Sequence, residues 1–546
     1  MRDFSHDWWR HAVIYQVYIR SFADGNGDGE GDIVGLRSRL GYLHELGVDA
    51  LWINPWYPSP MLDGGYDVAD YRAINPRFGD LDQAQALIDE AHALGLRVIL
   101  DMVPNHTSWD HRWFRAALAG DQQARARYLM RPGTGDHGDQ PPNDWRSVFG
   151  GSAWTRLTEP DGSPGPFYLH LFDASQPDLD WTNPEVHEEF ISVLRYWFDR
   201  GVDGFRIDVA HGMAKDAALP NLGYQPGMLE APEVEDHPFW DRDDVHQIYR
   251  DWRRVADSYD PPRMFVAEAW VDTAERMANY VRPDELHTTF NFDFVRAHWN
   301  APSLRGAIDR SLGALSAVDA PTTWVLSNHD VERQATRLGR ADTSGGSGAD
   351  APVKPGSVDA ELGLQRARAA ALLMLALPGS AYLYQGEELG LPEVLDLPEE
   401  ALQDPTWERS GHTIRGRDGC RVPLPWTVAG RSAGFGADGS WLPQPAGWGK
   451  LSVEAQEDDP SSTLNLYRAA LRLRRNLDGV GTAELTWLDA GADVLAFRSG
   501  DLICALNLTD APVPLPEHSE VLLTSGDLGP DGSLPVDTAV WLAVGC

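Results

Sequence analysis

The chain has 546 residues, and its acidic side chains outnumber the basic ones by 82 to 46, which gives a formal charge of −36 at pH 7. Such an acidic surface repels nucleic acid and anionic lipid, so neither is expected as a partner. The three cysteines, Cys420, Cys504 and Cys546, are too few and too scattered for a disulfide framework or a zinc ribbon.

The amino terminus carries charges where a secretory signal has an apolar stretch, so a cytoplasmic location is expected. The longest apolar stretch, residues 369–377, falls well short of the roughly 20 residues that cross a bilayer. No membrane helix is therefore predicted.

Short apolar segments alternate with longer ones in which apolar residues recur every three or four positions, a pattern typical of alternating strands and helices. Strands are predicted at 14–18, 50–53, 97–102, 204–207, 264–267, 289–290, 323–326 and 381–384. Helices are predicted at 34–46, 81–94, 185–199 and 246–256. These strands fit either a closed (β/α)₈ barrel or an open doubly wound sheet, and periodicity does not choose between the two.

Two long irregular segments, 104–183 and 386–459, interrupt this alternation. Both follow the carboxyl ends of predicted strands, the face on which barrel enzymes build their sites. Ser344–Gly348, with the sequence SGGSG, is predicted to be a flexible linker. From about residue 476, alternating strands replace the helices and predict a small separate β domain, with Cys504 in its core.

Charged side chains stand where several predicted strands end. Arg206 and Asp208 are two residues apart and share one side of an extended strand. A guanidinium beside a carboxylate favours its ionised form, so Asp208 is a candidate nucleophile. Glu268 ends an apolar strand, and an acid partly withdrawn from water holds its proton more readily.

One charged carboxylate and one protonated acid are what retaining glycoside hydrolysis requires. Asp330 follows a third strand, directly after His329. The alternative interpretation is that each of these acids is an ordinary strand-end residue that accepts hydrogen bonds from loop amides. Three such acids at strand ends, two of them near an Arg or a His, favour the catalytic interpretation.

The ordered motifs resemble the α-amylase superfamily of retaining glycoside hydrolases, and within it the α-glucosidase and oligo-1,6-glucosidase branch. The resemblance covers nearly the whole chain. It is carried by residues 24–32 (DGNGDGEGD), 65–71 (GYDVADY), 101–106 (DMVPNH), 176–180 (QPDLD), 204–208 (GFRID), 267–270 (AEAW), 328–330 (NHD), 385–390 (QGEELG) and 416–426 (GRDGCRVPLPW).

This resemblance implies an α/β fold, namely a (β/α)₈ TIM barrel with a domain B inserted after the third strand and a C-terminal β-sandwich. The implied boundaries are 1–104 and 176–475 for the barrel, 105–175 for domain B and 476–546 for the sandwich. The second barrel part contains an irregular insert at about 386–460.

The resemblance also implies roles for individual residues. Asp208 would be the nucleophile, Glu268 the general acid/base, and Asp330 the carboxylate that stabilises the distorted sugar. Asp67 and Arg333 would form a pair that closes the pocket around the non-reducing end of the substrate, which implies exo action. Further substrate contacts are expected from Tyr66, His106, Gln176, Arg206 and His329.

The expected activity is that of a retaining, exo-acting α-glucosidase on short oligosaccharides, with some transglucosylation. One alternative is a sucrose-active isomerase, phosphorylase or transglucosidase of the same family. Another is a non-catalytic carbohydrate-binding or transporter-associated relative. In the resembled branch, a valine after the nucleophile, here Val209, accompanies α-1,6 substrates. The following Ala210-His211-Gly212 departs from the usual Ile-Asn continuation.

An aspartate-rich loop follows the first predicted strand. Its oxygen-bearing side chains at alternate positions, together with the Glu30 carbonyl, suit a hard cation such as Ca²⁺ or Mg²⁺. The twelfth position is Gly35 where an EF-hand has Glu, so an EF-hand is not predicted. The resemblance implies a structural cation instead, and the alternative is a solvated acidic turn. The candidate ligands are Asp24, Asn26, Asp28, Glu30 and Asp32.

Overall fold

The structure is a computed structural model that describes residues 6–224, 236–344, 358–437 and 439–545. The predicted linker at 344–348 lies outside these ranges except for Ser344. The described strands are β1 (Val13–Val17), β2 (Ala50–Ile53), β3 (Arg97–Met102), β4 (Met130–Arg131), β5 (Trp154–Thr158), β6 (Pro164–Leu169), β7 (Gly204–Ile207), β8 (Met264–Ala267), β9 (Thr288–Thr289), β10 (Thr323–Val325), β11 (Ser380–Tyr384), β12 (Leu485–Trp487), β13 (Val494–Ser499), β14 (Leu502–Asn507), β15 (Glu520–Thr524) and β16 (Thr538–Ala543).

Helices connect these strands, and short 3₁₀ turns occur at Trp8–Arg10, Ile19–Ser21, Glu399–Ala401, Asp418–Arg421 and Trp448–Leu451. The α-helices are α1 (Ile33–Ser38), α2 (Leu40–Leu46), α3 (Leu81–Ala93), α4 (Arg112–Leu118), α5 (Gln122–Arg125), α6 (Pro184–Phe198), α7 (Val245–Ala256), α8 (Ala274–Asn279), α9 (Phe292–Arg296), α10 (Ala301–Ser316), α11 (Gln334–Arg337), α12 (Ala360–Ala376), α13 (Pro405–Arg409), α14 (Val453–Gln456) and α15 (Thr463–Asn476).

Eight parallel strands form the barrel, in the order β10-β11-β1-β2-β3-β7-β8-β9. The two ends of this sheet meet at a parallel bridge between Phe290 and Thr323, where the Asn291 amide donates to the Thr323 carbonyl at 3.1 Å. This contact decides between the two predicted architectures in favour of the closed barrel. Nearly every residue in these strands is buried, as expected for parallel strands covered on both faces.

The helix predicted at 34–46 is two helices, because the backbone leaves helical geometry at Arg39, with φ −112° and ψ 6°. Glycines at 35 and 41 flank this break and weaken helix propensity on both sides. The other predicted barrel helices are present. A capping box between Asp80 and Gln83 begins α3.

A small antiparallel sheet, in the order β4-β6-β5, extends from the segment after β3 and corresponds to the predicted domain B. Its apolar side chains, among them Trp145, Phe149 and Phe172, pack with Phe239 and Trp240 from the loop after β7. This cluster fixes the inserted segment over the carboxyl ends of the barrel strands.

The C-terminal β domain is a five-stranded antiparallel sheet, in the order β12-β13-β14-β16-β15. It packs against α12, and the Trp541 indole donates to the Leu372 carbonyl at 3.0 Å. Cys504 is buried in this sheet, as predicted. None of the helices in the described ranges has the length and apolar character needed to span a bilayer.

Candidate active site

The carboxyl ends of β3, β7, β8 and β10 bring the predicted catalytic side chains together. Asp101 and Arg206 lie opposite each other in the β3–β7 register, and Asp208 follows β7. Glu268 is the first residue after β8, and Asp330 lies in the loop after β10. All five side chains border or support one cavity, because parallel strands end at the same rim of the barrel.

One guanidinium, that of Arg206, contacts three carboxyl groups. Its Nη1 donates to Asp101 Oδ1 at 2.8 Å and also to Asp208. Its Nη2 lies 2.6 Å from Glu268 Oε2. Because Arg206 is only 1% exposed, these contacts are formed away from water and fix the predicted nucleophile and the predicted acid/base beside each other.

The charge state of this cluster differs from the expectation that Arg206 alone keeps Asp208 ionised. Burial raises the pKa of Asp208 well above its usual range, and although Arg206 lowers it, the carboxylates of Glu268 and Asp101 raise it further. Three carboxyl groups thus surround one cation. The charge of Asp208 therefore depends on the two neighbouring carboxyl groups as well as on Arg206.

Asp330 has the opposite environment. Burial alone would raise the pKa of its carboxyl group, but the positive groups around it reverse this effect and lower the pKa below its usual range. Arg417 and Arg421 donate to Oδ1 at 3.0 and 2.9 Å, and His329 Nε2 lies 3.1 Å from Oδ2. Asp330 is therefore ionised at neutral pH and suited to stabilise positive charge on a sugar.

Two buried histidines complete this part of the site. The His329 ring stacks on Tyr66 with the ring centroids 5.2 Å apart, and Gln16 contacts its Nδ1 at 2.7 Å. His106 Nε2 lies 3.2 Å from the amide nitrogen of Gln176. Burial lowers the pKa of both histidines, so both rings are neutral at pH 7 and can act as hydrogen-bonding groups without charge.

The predicted Asp67–Arg333 pair is not formed. The Asp67 carboxylate accepts from the Ser59 hydroxyl at 2.6 Å and from the Leu62 amide at 3.0 Å. Arg333 donates to two backbone carbonyls, those of Gln385 and Cys420, at 2.8 Å each. Both side chains are buried structural groups behind the cavity wall, so the assignment of this pair to the pocket is wrong.

A different pair, Asp63 and Arg417, lines the cavity where Asp67 and Arg333 were expected. Arg417 Nη2 donates to Asp63 Oδ1 at 2.8 Å, and the same guanidinium contacts Asp330 and Asp404. Asp63 also accepts from the Gln176 amide at 3.0 Å. The motif at 416–426 was part of the sequence signal, but the role of Arg417 depends on a partner 354 residues away along the chain, which no local pattern reveals.

These groups surround one cavity at the carboxyl ends of the barrel strands. Five of the predicted site residues line it directly, and Arg206, His329 and Gln176 support them from behind. Aromatic side chains from domain B and from the loops after β7 and β8 form the rest of the wall. The lining residues are Asp63, Tyr66, His106, Phe149, Phe172, Asp208, Val209, His211, Trp240, Glu268, Trp270, Asp330 and Arg417.

Comparison with known proteins agrees with this geometry. The family described as "Alpha amylase, catalytic domain" matches residues 16–481, and a C-terminal domain of unknown function, DUF3459, matches residues 480–541. The chain belongs to the α-amylase family. It is a glycoside hydrolase, and the family of glycoside hydrolases indicated by the sequence motifs is confirmed.

Three similar proteins illustrate the membership. A probable alpha-glucosidase from Rhizobium meliloti (strain 1021) is 36% identical over 92% of this chain and 90% of its own length. An oligo-1,6-glucosidase from Parageobacillus thermoglucosidasius is 33% identical, with 95% of each protein covered. The crystal structure of the alpha-glucosyl transfer enzyme XgtA superposes with a TM-score of 0.86 at 34% identity, over 98% of this chain and 99% of that one.

Within this family member, Val209 has a strained backbone. Its φ of 46° lies in the left-handed region, which a β-branched residue rarely adopts. The strained geometry directs the Val209 amide toward Glu268 Oε2, to which it donates at 3.1 Å. Trp270 Nε1 lies 3.3 Å from the other oxygen, so both oxygens of the predicted acid/base are oriented.

The aspartate-rich loop between β1 and α1 is held mainly by its own amides. Asp24 accepts from the amides of residues 26, 27 and 29, and Asp28 from that of Glu30. The Glu30 side chain instead pairs with Arg20 and Arg77, which leaves only its carbonyl for a cation. Within the described ranges, no group of three or more His, Cys, Asp or Glu side chains is gathered as metal ligands would be.

One atom of this loop remains without a hydrogen bond from the residues described. Asp32 Oδ1 accepts from the amides of Gly35 and Gly25, but Oδ2 is buried and has no partner. A buried, unpaired carboxylate oxygen is costly. The oxygen-only donor set and this orphaned atom fit a hard cation.

Proposed function

We propose that this protein is a retaining α-glucosidase that removes single glucose units from the non-reducing end of short α-glucosides. The observation that carries the proposal is the contact of Asp208 and Glu268, which both line the cavity, with one guanidinium. The names of the two similar glucosidases support the same substrate class.

In the proposed mechanism, Glu268 protonates the glycosidic oxygen while an Asp208 oxygen attacks the anomeric carbon. The bond to the leaving sugar breaks and a covalent glucosyl–enzyme ester forms. Glu268, now a carboxylate, removes a proton from water, and the water oxygen displaces Asp208 with release of α-glucose. Asp330 stabilises the positive charge that develops on the sugar ring in both steps.

Exo action is supported by one wall of the cavity. Asp63, Arg417 and Asp330 form a continuous chain of contacts, so the loop after β2 is joined to the irregular insert and to the loop after β10. A sugar chain would not extend through such a wall, so cleavage would remove the terminal ring. This wall replaces the predicted Asp67–Arg333 closure.

Transglucosylation is the second candidate activity. The cavity is lined in part by Phe149, Phe172, Trp240 and Trp270, and such surfaces favour a sugar ring over water at the acceptor position. The structural similarity to an alpha-glucosyl transfer enzyme supports the same possibility. A sugar hydroxyl would then replace water in the second displacement.

Incubation with maltose, isomaltose, sucrose and trehalose, followed by NMR, tests the proposal. We expect α-glucose to appear first from at least one of them, with new glucosides at high substrate concentration. Release of β-glucose, or of an intact disaccharide from a longer oligosaccharide, would contradict it. Absence of p-nitrophenyl α-glucoside hydrolysis would instead favour a non-catalytic, carbohydrate-binding role.

We also propose that the aspartate-rich loop binds a structural Ca²⁺ or Mg²⁺. Asp24, Asn26, Asp28 and Asp32 would supply side-chain oxygens, and Glu30 its carbonyl. The cation would stabilise the fold of the loop and take no part in catalysis. Metal analysis after dialysis into metal-free buffer tests this, and less than about 0.1 equivalent of either ion after loading would contradict it.

A further inference from the structure

Asp404 is a buried carboxylate to which the proposed mechanism assigns no role. It lies in the irregular insert, directly before the short helix α13. One of its oxygens, Oδ2, contacts Arg417 twice, because it accepts from the Arg417 amide at 3.0 Å and from the side-chain Nε. Arg417 lines the cavity, whereas Asp404 lies behind it. Asp404 therefore reaches the cavity through the guanidinium of Arg417.

The guanidinium of Arg417 divides its three nitrogens among three carboxylates. Nε donates to Asp404, Nη1 to Asp330 at 3.0 Å and Nη2 to Asp63 at 2.8 Å. A guanidinium is planar and rigid, so a partner that fixes Nε also fixes the directions of both Nη groups. These two Nη groups form the cavity wall. The contact with Asp404 therefore sets the orientation in which Arg417 faces Asp63 and Asp330.

Asp404 is itself held in place by its surroundings. Its Oδ1 accepts from the Thr406 amide at 2.9 Å, and its own amide donates to Asp418 Oδ2 at 2.9 Å. At the other end of α13, Arg409 Nε donates to Asp173 Oδ2 of domain B at 2.8 Å. The helix is thus anchored at both ends, and Asp404 gives the guanidinium a fixed point of attachment.

The approach of Asp404 to Arg417 requires glycine at position 416. A Cβ there would lie 2.5 Å from Asp404 Cγ, and the φ of Gly416, 72°, lies in the left-handed region that favours glycine. The Asp404 carboxylate is charged at neutral pH: burial would raise its pKa, but Arg417 and Arg421 outweigh burial and lower the pKa to about 2. Hydrogen bonds between two charged groups are stronger than those between neutral ones.

We propose that Asp404 is a positioning residue that orients Arg417 toward Asp63 and Asp330 and thereby maintains the wall around the terminal glucose. Asp404 touches neither the substrate nor the reacting atoms, and its effect on both passes through one guanidinium. Without Asp404, the Arg417 side chain rotates more freely, and its contacts with Asp63 and Asp330 weaken together. This inference rests on the proposed α-glucosidase function.

The test is a double-mutant cycle with Asp404→Asn and Arg417→Lys. Asp404→Asn keeps the size of the side chain but removes its charge and one acceptor oxygen. We expect kcat/KM for p-nitrophenyl α-glucoside to fall at least about tenfold, the loss of one charged hydrogen bond. Lysine carries a point charge in place of the planar fork, so Asp404 cannot orient it in the same way. In the Arg417→Lys background, Asp404→Asn should therefore change kcat/KM by less than about twofold.

The same four proteins are titrated with D-glucose by calorimetry, a measurement that does not need turnover. We expect the affinity for glucose to follow the pattern of kcat/KM, with a loss on Asp404→Asn only where Arg417 is present. A general structural role for Asp404 would instead reduce kcat/KM and glucose affinity by equal factors in both backgrounds.

Asp203→Asn is the matched control. Asp203 is also a buried aspartate, and it accepts from the Val98 amide at 2.8 Å and lies 3.6 Å from both Arg97 and Arg263. It directly precedes β7, at the opposite end of that strand from Asp208. Its substitution is expected to lower the thermal midpoint and to leave kcat/KM and glucose affinity unchanged.

The outcomes separate the two proposals. A wild type that binds glucose without hydrolysing any α-glucoside would overturn the α-glucosidase function, and the glucose cycle would then decide the role of Asp404. A wild type that neither binds nor hydrolyses would overturn both. In an active wild type, an unchanged kcat/KM in Asp404→Asn, or equal losses in the two Arg417 backgrounds, would overturn the role of Asp404 alone.

A second variant covers the case in which Asp404→Asn does not fold. Asp404→Glu keeps the charge but displaces the carboxyl oxygens by one methylene group, and it enters the same cycle with Arg417→Lys. The thermal midpoint reports folding in each variant. Equal effects of Asp404→Glu with and without Arg417 would again overturn the positioning role.

Discussion

Two acid-rich regions of this protein contrast in how their carboxylates are stabilised. In the active site, Asp208, Glu268 and Asp330 are each no more than 6% exposed and are held by arginines. In the aspartate-rich loop, Asp24 and Asp28 reach solvent and accept backbone amides instead. Buried carboxylates need a cation or a proton, whereas exposed ones are satisfied by amides and water.

Acidic composition alone therefore does not mark a catalytic site. What distinguishes the active site is burial together with unequal environments, which raise the pKa of Asp208 and lower that of Asp330. Perturbed pairs of this kind cluster at functional sites. In the aspartate-rich loop, among the residues described, only Asp32 has a buried side-chain oxygen without a hydrogen-bond partner, its Oδ2.

The largest expected effect comes from the nucleophile. Asp208→Asn keeps the shape of the side chain but removes its nucleophilic charge, so kcat should fall by at least about 10⁴-fold. The measurement is hydrolysis of p-nitrophenyl α-glucoside, with the thermal midpoint as the control for folding. Activity within tenfold of wild type in a folded variant would contradict the assignment.

The next largest effect on kcat/KM distinguishes the role of Asp63 from that of Asp67. Asp63→Asn breaks the charged contact with Arg417, and kcat/KM should fall about 10²-fold, as for other truncated buried pairs. Burial raises the pKa of Asp67 to about 7, and its partners are a hydroxyl and an amide. Asp67→Asn should therefore leave kcat/KM within about threefold. If kcat/KM fell equally in the two variants, the assignment of the pocket closure to Asp63 and Arg417 would be contradicted, and the Asp67–Arg333 prediction would be favoured again.

A smaller effect concerns stability as a function of pH. Burial raises the pKa of Glu387 to about 8, whereas its unfolded-state pKa is about 4.3. Because the folded state holds the proton longer, the stability from this group is complete below the unfolded pKa and is lost progressively as pH rises to about 8.

Glu387→Gln does not titrate, so its thermal midpoint relative to wild type should rise between pH 5 and pH 8 and then stay level. The expected change is a few °C, roughly. Differential scanning fluorimetry at several pH values measures it. Parallel curves for the two proteins across this window would show that Glu387 does not titrate there.

The smallest effect is expected in the loop. If a cation binds there, chelation should lower the thermal midpoint by about a few °C, because a ligand of the folded state stabilises it by mass action. Asp24→Asn is the matched variant and should be insensitive to chelator. A wild-type midpoint that chelator does not change would leave the acidic turn as a purely hydrogen-bonded structure.

Much of the fold, and the convergence of three acids on one cavity, could be predicted because the signals are local. Apolar strands end in polar groups, and parallel strands place such ends on one rim, which brought Asp208, Glu268 and Asp330 together correctly. Periodicity alone could not predict barrel closure, since closure depends on one bridge between Phe290 and Thr323; the closed barrel implied by the family resemblance is confirmed.

The pocket closure was mispredicted for a physical reason. Asp63 and Asp67 lie in one loop, and the sequence does not say which of the two faces the cavity. The partner, Arg417, comes from an irregular insert without periodicity, so only the folded chain shows the contact.

The Phe290–Thr323 bridge has one more consequence. It is the thinnest junction of the barrel, because β9 has only two residues and shares two register pairs with β8. Glu268 follows β8, which pairs with β9 on one side of this seam, and Asp330 lies in the loop after β10 on the other side. Local opening there would move the two carboxylates apart, so amide hydrogen exchange at residues 288–291 should report how long the catalytic arrangement persists.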